Sequence, residues 1–280
     1  MVKYLVTHIF PDIDAITACW LLKRNDSDFD KAQIKFVPAG TTLDKQKADI
    51  DPEVIHVDTG LGRFDHHQTD ERTCASKLVL EYLKQEKKIG KKKEAGLNKL
   101  IELVTQIDHF ENFFWEKPAD DRYDLCLHQL FDYLKMSGRL NDRELVSQGF
   151  LLLDALLFGL REKIKAEEEI KEGREFKTKW GKAVGMETKV SRVLKLGQKM
   201  GYVLVLTKDP EKGFVVIKCQ PKKELNLEEA YKALSQADKQ ADWFFHKSKH
   251  IILNGSRHNQ DVKPSRLSLN ELIDILRNIN

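Results

Sequence analysis

The sequence has few cysteines, no long apolar run and almost no excess of charge of either sign. The four cysteines among its 280 residues are widely scattered, which excludes a Cys-x-x-Cys zinc motif and a disulfide framework. No stretch reaches the roughly 18 to 20 apolar residues that a membrane-spanning helix needs, and no signal-peptide pattern opens the chain. The net charge of +3 is too small to indicate nucleic-acid binding by itself. These absences predict a cytoplasmic protein that does not interact with membranes and keeps its thiols reduced.

The chain contains enough sequence for two domains of ordinary size, with 41% hydrophobic and 32% charged residues. Three β-prone runs lie near the start, and a helical pattern separates the first two, which predicts a parallel α/β sheet. The three runs are residues 3–8, 33–40 and 53–60.

Helical patterns dominate the middle of the chain, and the last of them, at 143–175, becomes strongly charged from Arg161 onward. A charged helix with few large apolar residues is typical of a solvated connection between domains. After Lys182, strand and helix patterns alternate and predict a smaller mixed α/β domain, whose final helix begins with a capping box. We therefore predict an α/β protein with a parallel-sheet N-terminal domain at 1–160, a charged helical linker at 161–182 and a C-terminal domain at 183–280.

Acidic and histidine side chains collect where the predicted strands end. Ligands bind at the carboxyl ends of parallel strands, so we expect these side chains to share one crevice. Taken singly, each aspartate has an ordinary interpretation as a helix cap or turn residue, and each histidine as a structural residue. The residues in these positions are His8, Asp12, Asp14, Asp58, Asp65, His66 and His67.

Several carboxylates in one crevice repel one another, and burial raises their pKa values unless cations neutralise them. Mixed carboxylate and imidazole ligands suit Mn²⁺, Mg²⁺, Fe²⁺ or Co²⁺, and four carboxylates would balance two divalent ions. The pattern therefore predicts two divalent cations, with Mn²⁺ preferred and Mg²⁺ or Co²⁺ as alternatives.

The order of these motifs resembles the DHH phosphoesterase superfamily. That superfamily includes RecJ-type exonucleases, oligoribonuclease and cyclic-dinucleotide phosphodiesterases, and manganese inorganic pyrophosphatases. The resemblance implies a DHH-type N-terminal domain with a two-metal site. The run FDHHQ after VDTG also resembles the melanocyte-proliferating-gene branch of DHH-like nucleases. The matching segments are His8-x-x-Pro11-Asp12-x-Asp14-Ala15, Val57-Asp58-Thr59 and Asp65-His66-His67.

The resemblance also implies a role for each matched residue. Asp58 would bridge two cations, and His67 would face the substrate phosphate. Asp65 would not bind a metal itself but would orient a histidine by bonding to it. The remaining residues would be metal ligands, with His8 and Asp12 on one cation and Asp14 and His66 on the other.

The superfamily's fourth motif needs one further aspartate on a later helix, and Asp108 is the predicted residue. It follows an apolar helical run that ends at Ile107 and precedes His109. The rival interpretation of Asp108 is an ordinary helix terminus, and His109 is either a neighbour of the site or a packed aromatic residue. Weaker candidates for the fourth motif are Asp120, Asp121 and Asp124.

Near the end of the chain, the run LNGSRHNQ follows an apolar strand and resembles the glycine-rich, histidine-containing loop of the DHH-associated C-terminal domain. It has one glycine where that loop has several. Arg257 and His258 are the predicted substrate-binding residues, since an arginine can form a bidentate contact with phosphate. The alternative is a turn after an edge strand.

The predicted function is hydrolysis of a phosphodiester or a phosphate end by a two-metal mechanism. The expected partner is a phosphorylated small molecule, such as a nucleotide, or a short single-stranded nucleic acid, and assembly into a homo-oligomer is compatible with the sequence. One alternative is a manganese inorganic pyrophosphatase. Another is a nucleotide-binding regulatory module without turnover.

Overall fold

The computed structural model describes residues 3–255, 259 and 261–279. The chain divides into two compact units, Met1–Arg161 and Glu162–Asn280, which are called here unit 1 and unit 2. Of the segment predicted as a helical linker, residues 162–172 are helical, and the strands of unit 2 begin at Arg174.

The sheet of unit 1 has three parallel strands in the order β2-β1-β3. β1 (Tyr4–His8) is central and pairs in parallel with β2 (Gln33–Val37) and with β3 (Val54–His56). β3 is shorter than the predicted run at 53–60 because the backbone turns at Asp58, whose φ is 57°. The predicted parallel sheet is confirmed.

Helices cover this sheet and build the core of unit 1. The first helix is buried along almost its whole length, with Trp20 completely enclosed. Its contacts with the second helix bring the start of both helices to the edge of the sheet where β1 ends. The helices are α1 (Ile13–Asn25), α2 (Ala75–Gln85), α3 (Lys91–Asp108), α4 (Leu127–Met136) and α5 (Asp142–Glu172), of which α5 continues past the end of unit 1.

Unit 2 has a mixed sheet of six strands in the order β4-β5-β6-β7-β9-β8. β5 and β6 pair in parallel and the other neighbours are antiparallel. The chain is therefore an α/β protein with a separate mixed C-terminal sheet, as predicted. The strands are β4 (Arg174–Thr178), β5 (Gly181–Glu187), β6 (Leu204–Lys208), β7 (Val215–Cys219), β8 (Phe244–Phe245) and β9 (Ile251–Asn254).

Besides the end of α5, the described residues of unit 2 contain three helices: α6 (Arg192–Lys199), α7 (Glu228–Ala237) and α8 (Leu269–Arg277). The predicted capping box at the start of α8 is present, with the Ser268 side chain accepting from the Glu271 amide. Among the described residues, no helix combines the length and the apolar composition needed to cross a membrane. All four cysteines are free thiols, three of them buried.

Candidate metal centre

The predicted site residues of unit 1 lie at the ends of its elements. His8 is the last residue of β1, Asp12 is the N-cap of α1, and Asp108 is the last residue of α3. Asp58 follows β3, and His66 lies in the loop that leads to α2. Because parallel strands end at the same edge of a sheet, this topology brings together side chains that are up to 100 residues apart.

Ligand atoms of these residues form groups in which every atom lies within 4.8 Å of the others. One group contains His8, Asp12 and Asp58, and another contains Asp14, His66 and Asp108. They are called here the first triad and the second triad. Asp58 also groups with His66 and His67, so it connects the two triads.

Asp58 lies between His8 and His66. Its Oδ2 is 3.3 Å from Nε2 of His8, and its Oδ1 is 3.3 Å from Nε2 of His66. Burial raises the pKa of Asp58, but the contacts with His66 and His8 outweigh burial and lower the pKa to about 2. Oδ1 is buried without a hydrogen-bond partner, which is costly unless a cation or a charged group satisfies it.

Asp12 and Asp14 are held by backbone amides, each in a different way. Oδ1 of Asp12 accepts hydrogen bonds from the amides of Asp14 and Ala15 at 2.9 and 3.0 Å, so Asp12 caps α1. Both oxygens of Asp14 accept from the first amides of α2, at 2.7 Å from Ala75 and 2.9 Å from Ser76. The helix-cap interpretation and the ligand interpretation therefore coexist, because a carboxylate oxygen keeps a second lone pair for a cation.

The carboxyl groups show the crowding expected of a site built for cations. Burial, followed by the charge of Asp58, raises the pKa of Asp14 to about 8 and also raises the pKa of Asp12. Burial raises the pKa of Asp108 to about 6, although His66 opposes the shift. Perturbed pKa values of this kind mark functional sites more often than structural ones.

The two histidines of the triads respond to the same carboxylates. Burial lowers the pKa of His8, but the close contact with Asp58 and further contacts outweigh it and raise the pKa to about 9. The close contact with Asp58 raises the pKa of His66 to about 9 against burial. Nδ1 of His8 is 2.9 Å from the Ile9 carbonyl oxygen, so a proton on Nδ1 leaves Nε2 directed at Asp58.

His67 differs from His66 in exposure and in partner. Its side chain is 60% exposed, whereas that of His66 is 15% exposed. Nδ1 of His67 is 2.7 Å from Oδ1 of buried Asp65, and Asp65 also accepts from the Leu61 amide at 2.7 Å. Asp65 therefore fixes the ring of His67 through Nδ1.

Asp108 lies in the second triad, with Oδ2 at 3.6 Å from Nε2 of His66. Two of the three alternative aspartates have other partners. Asp120 bonds the amide and the guanidinium of Arg122, and Asp124 accepts from the Tyr133 hydroxyl. Within the described part of the chain, neither belongs to a metal-ligand group.

The donor set fits divalent cations. Four carboxylates and two imidazoles lie close together in the two triads. One of their atoms, Oδ1 of Asp58, is buried without a hydrogen-bond partner. Imidazole ligands favour Mn²⁺ or Co²⁺ over Mg²⁺, which prefers oxygen ligands and retains waters.

A cavity of about 340 Å³ opens at this site and is lined by both polar and apolar groups. Its walls include Leu61, and none of the described lining residues is a lysine or an arginine.

Three large apolar side chains near the site are well exposed: Phe10 at 65%, Leu61 at 60% and Phe110 at 68%. Phe10 comes two residues after His8, and Phe110 comes two residues after Asp108. All three have a left-handed backbone with φ between 52° and 56°, which is uncommon for bulky residues and concentrates at functional sites. Leu61 lines the cavity, whereas Phe10 and Phe110 follow lining residues in sequence. The three residues are called here the apolar rim.

The predicted substrate-binding residues Arg257 and His258 lie outside the described residues. Sequence reasoning missed residues 72–76, which connect Asp14 to α3, and it left the role of His109 open. Nε2 of His109 lies 2.7 Å from the Thr73 carbonyl oxygen. The sequence signal was weak, because these contacts join residues separated by 30 or more positions and follow no periodic pattern.

No protein-family model and no curated protein matches the chain. The chain is similar to the solved structure of PggH, a pGpG-specific phosphodiesterase from Vibrio cholerae, with 14% identity, 90% of this chain and 92% of that chain covered, and a TM-score of 0.28. It is similar to the DHH domain of a protein described as a member of a family of ribosomal proteins, with 12% identity, coverage of 98% of this chain and 85% of that chain, and a TM-score of 0.33.

A third similar structure is RecJ from Thermus thermophilus in complex with Mg²⁺, with 13% identity, coverage of 98% of this chain and 49% of that chain, and a TM-score of 0.30. Of these three structures, one is described as a DHH domain. Because the identities and TM-scores are low, the function has to be inferred from the side chains of the site.

Proposed function

We propose that the protein is a metal-dependent phosphohydrolase that cleaves a phosphodiester or a phosphate end of a nucleotide or short oligonucleotide. The observation that carries the proposal is the arrangement of the two triads around Asp58, whose two oxygens each lie 3.3 Å from a different histidine. A single carboxylate between two sets of ligands can be shared by two cations, which two-metal hydrolytic sites hold about 3.5 to 4 Å apart.

Two divalent cations held there, preferably Mn²⁺, would lower the pKa of a bound water and neutralise the leaving oxygen. The protein's own groups would do the rest. His8 and Asp12 would hold one cation, and Asp14, His66 and Asp108 the other, with Asp58 shared. His67, whose Nδ1–H donates to Asp65, would act as an imidazolium that donates from Nε2 to a phosphoryl oxygen and stabilises the charge that develops there.

The lining of the cavity favours an organic phosphate over inorganic pyrophosphate. Pyrophosphate is small and highly charged, and it would need several lysines or arginines around it. The described lining has none, and the apolar rim instead offers surface to the uncharged part of a substrate. An aromatic side chain such as Phe10 or Phe110 can stack on a nucleobase, which supports a nucleotide substrate.

Hydrolysis of a substrate panel in Mn²⁺ tests this function. The panel contains pyrophosphate, linear dinucleotides, cyclic dinucleotides and short single strands. We expect turnover of a nucleotide substrate, and we expect Asp58→Asn to lower kcat/KM by more than about 100-fold, since even groups that only support a ligand reach that value.

Asp120→Asn is the matched control, because Asp120 is an aspartate of the same unit that belongs to neither triad. It should retain wild-type activity. Turnover of pyrophosphate alone would replace the proposal by a pyrophosphatase. Metal binding without turnover of any panel member would favour a regulatory module, and unchanged activity in Asp58→Asn would remove the two-metal centre from the reaction.

A further inference from the structure

We propose that residues 72–76, called here the strap, form a positioning device that sets the geometry of the second triad and leaves the first triad independent. The inference rests on the proposed function, because it concerns how the same metal centre is built. It assigns positioning roles to Arg72 and His109, neither of which touches a ligand atom of the site.

The C-terminal end of the strap holds Asp14. The amides of Ala75 and Ser76 donate to the two oxygens of Asp14, at 2.7 and 2.9 Å, in a fully buried environment. A carboxylate held through both oxygens cannot rotate without breaking a buried hydrogen bond. The position of the strap therefore determines the position of Asp14.

The middle of the strap is bonded to the last turns of α3, the helix that ends in Asp108. His109 donates from Nε2 to the Thr73 carbonyl oxygen at 2.7 Å. Sγ of Cys74 lies 3.3 Å from Oγ1 of Thr105, which is also buried. These contacts connect the start of α2 to the end of α3 directly beside Asp108.

The N-terminal end of the strap is bonded to α3 by a forked ion pair. The guanidinium of Arg72 contacts Glu102, which lies within α3, at 2.8 Å and Glu111, which lies three residues after the end of α3, at 2.9 Å. The planar guanidinium fixes direction as well as distance when it binds two carboxylates. His66 precedes Arg72 in the same loop by six residues, so the fork also limits how far that loop can move from α3.

The first triad is built without the strap. Asp12 is held by amides of its own helix, and His8 by the neighbouring Ile9 carbonyl. None of the described hydrogen bonds of residues 72–76 reaches His8, Asp12 or Asp58. Loosening the strap should therefore affect one metal site and spare the other.

Site-resolved Mn²⁺ titration tests the inference, with calorimetry for affinity and electron paramagnetic resonance for occupancy. His8→Ala and His66→Ala identify the first and second sites. Arg72→Met and His109→Ala should each weaken the second site by up to about 10-fold, the lower end of the range for groups bonded directly to a metal ligand, because both act through the backbone that holds Asp14; the first site should stay within twofold of wild type. His109→Gln should restore most of the affinity, because its amide can donate to the Thr73 carbonyl oxygen.

Arg24→Met is the matched control. Arg24 forms an exposed bidentate pair with Asp154 in the same unit, with a side chain 44% exposed against 43% for Arg72. It should leave both sites unchanged. Equal weakening of both sites in the Arg72 and His109 variants, or no weakening of either, would overturn the inference while leaving the proposed function intact.

Amide hydrogen exchange provides a readout that does not depend on metal. In metal-free protein, Arg72→Met and His109→Ala should accelerate exchange at Ala75 and Ser76 by at least fivefold, and Arg24→Met should not. If the wild-type protein bound no Mn²⁺, the proposed function would fail, and this exchange measurement would still decide whether the strap positions Asp14. Unchanged exchange at both amides would show that the strap does not act on Asp14.

Discussion

At the scale of single residues, the most informative pair is His66 and His67. They are adjacent in sequence, and their rings are 4.4 Å apart, yet they have different environments. His66 lies close to Asp58 and Asp108, whereas His67 is bonded to Asp65 and exposes most of its side chain. The difference supports separate roles in metal binding and in contact with the phosphoryl group.

We therefore expect His66→Ala and His67→Ala to lose activity for different reasons. His66→Ala should lose Mn²⁺ from the second site. His67→Ala should keep both ions and lower kcat by about 100- to 1,000-fold, the cost of removing one donor to a developing oxyanion. Metal content by elemental analysis, measured on the preparation used for kinetics, separates the two effects. Equal loss of metal in both variants would contradict the division of roles.

At the scale of secondary structure, the sequence predicted the elements that carry the ligands. β-prone runs and the 3.6-residue periodicity of α1 are local signals in the sequence. They were therefore enough to predict β1, α1 and the turn that carries Asp12 and Asp14. The sequence predicted the end of α5 three residues too late, because the charged segment has no apolar pattern that marks where the helix ends. In the structure the helix ends just before Gly173, a position at which a Cβ atom would contact the side chain of Val184. β8 has two residues and offers no period to detect.

The candidate site was predicted less completely than the elements. The motif residues could be found because they follow strands in a fixed order. The strap could not, because Arg72 and Glu111 are 39 positions apart and exposed charged residues of this kind are common along the chain. Contacts of this type depend on how α2 packs against α3, which no local pattern specifies.

The capping box of α8 is an element-scale feature that the sequence predicted and the structure confirms. Ser268→Ala removes the side chain that accepts from the Glu271 amide and should lower the free energy of unfolding of unit 2 by about 1 kcal/mol. Chemical denaturation monitored by circular dichroism measures the change. Ser147→Ala, at an exposed position within α5, is the control and should be neutral or slightly stabilising. An equal loss in both variants would show that the cap does not stabilise α8.

At the scale of the whole molecule, the ligands are unevenly distributed between the units. Every residue of the two triads belongs to unit 1, and the metal-ligand groups found in the described residues contain no residue of unit 2. Each unit has its own hydrophobic core. Metal binding should therefore stabilise one unit and leave the other unchanged, since a ligand stabilises only the structure to which it binds.

Thermal unfolding with and without Mn²⁺ tests this expectation. At a free Mn²⁺ concentration 100 times Kd, each site adds about 2.7 kcal/mol, which corresponds to about 5 to 10 °C in the Tm of a unit of this size. Addition of a chelator should reverse the shift, because the crowded carboxylates of Asp12, Asp14, Asp58 and Asp108 again repel one another.

Differential scanning calorimetry resolves the unfolding transitions of the two units, and Ser268→Ala identifies the transition of unit 2 by lowering its Tm. Asp58→Asn should abolish the Mn²⁺ shift of unit 1. In chelator it should lower the Tm of unit 1, because the lowered pKa of Asp58 means that its charge, facing His8 and His66, stabilises the metal-free unit. A shift of equal size in the unit 2 transition, or none in unit 1, would contradict a metal centre confined to the N-terminal unit.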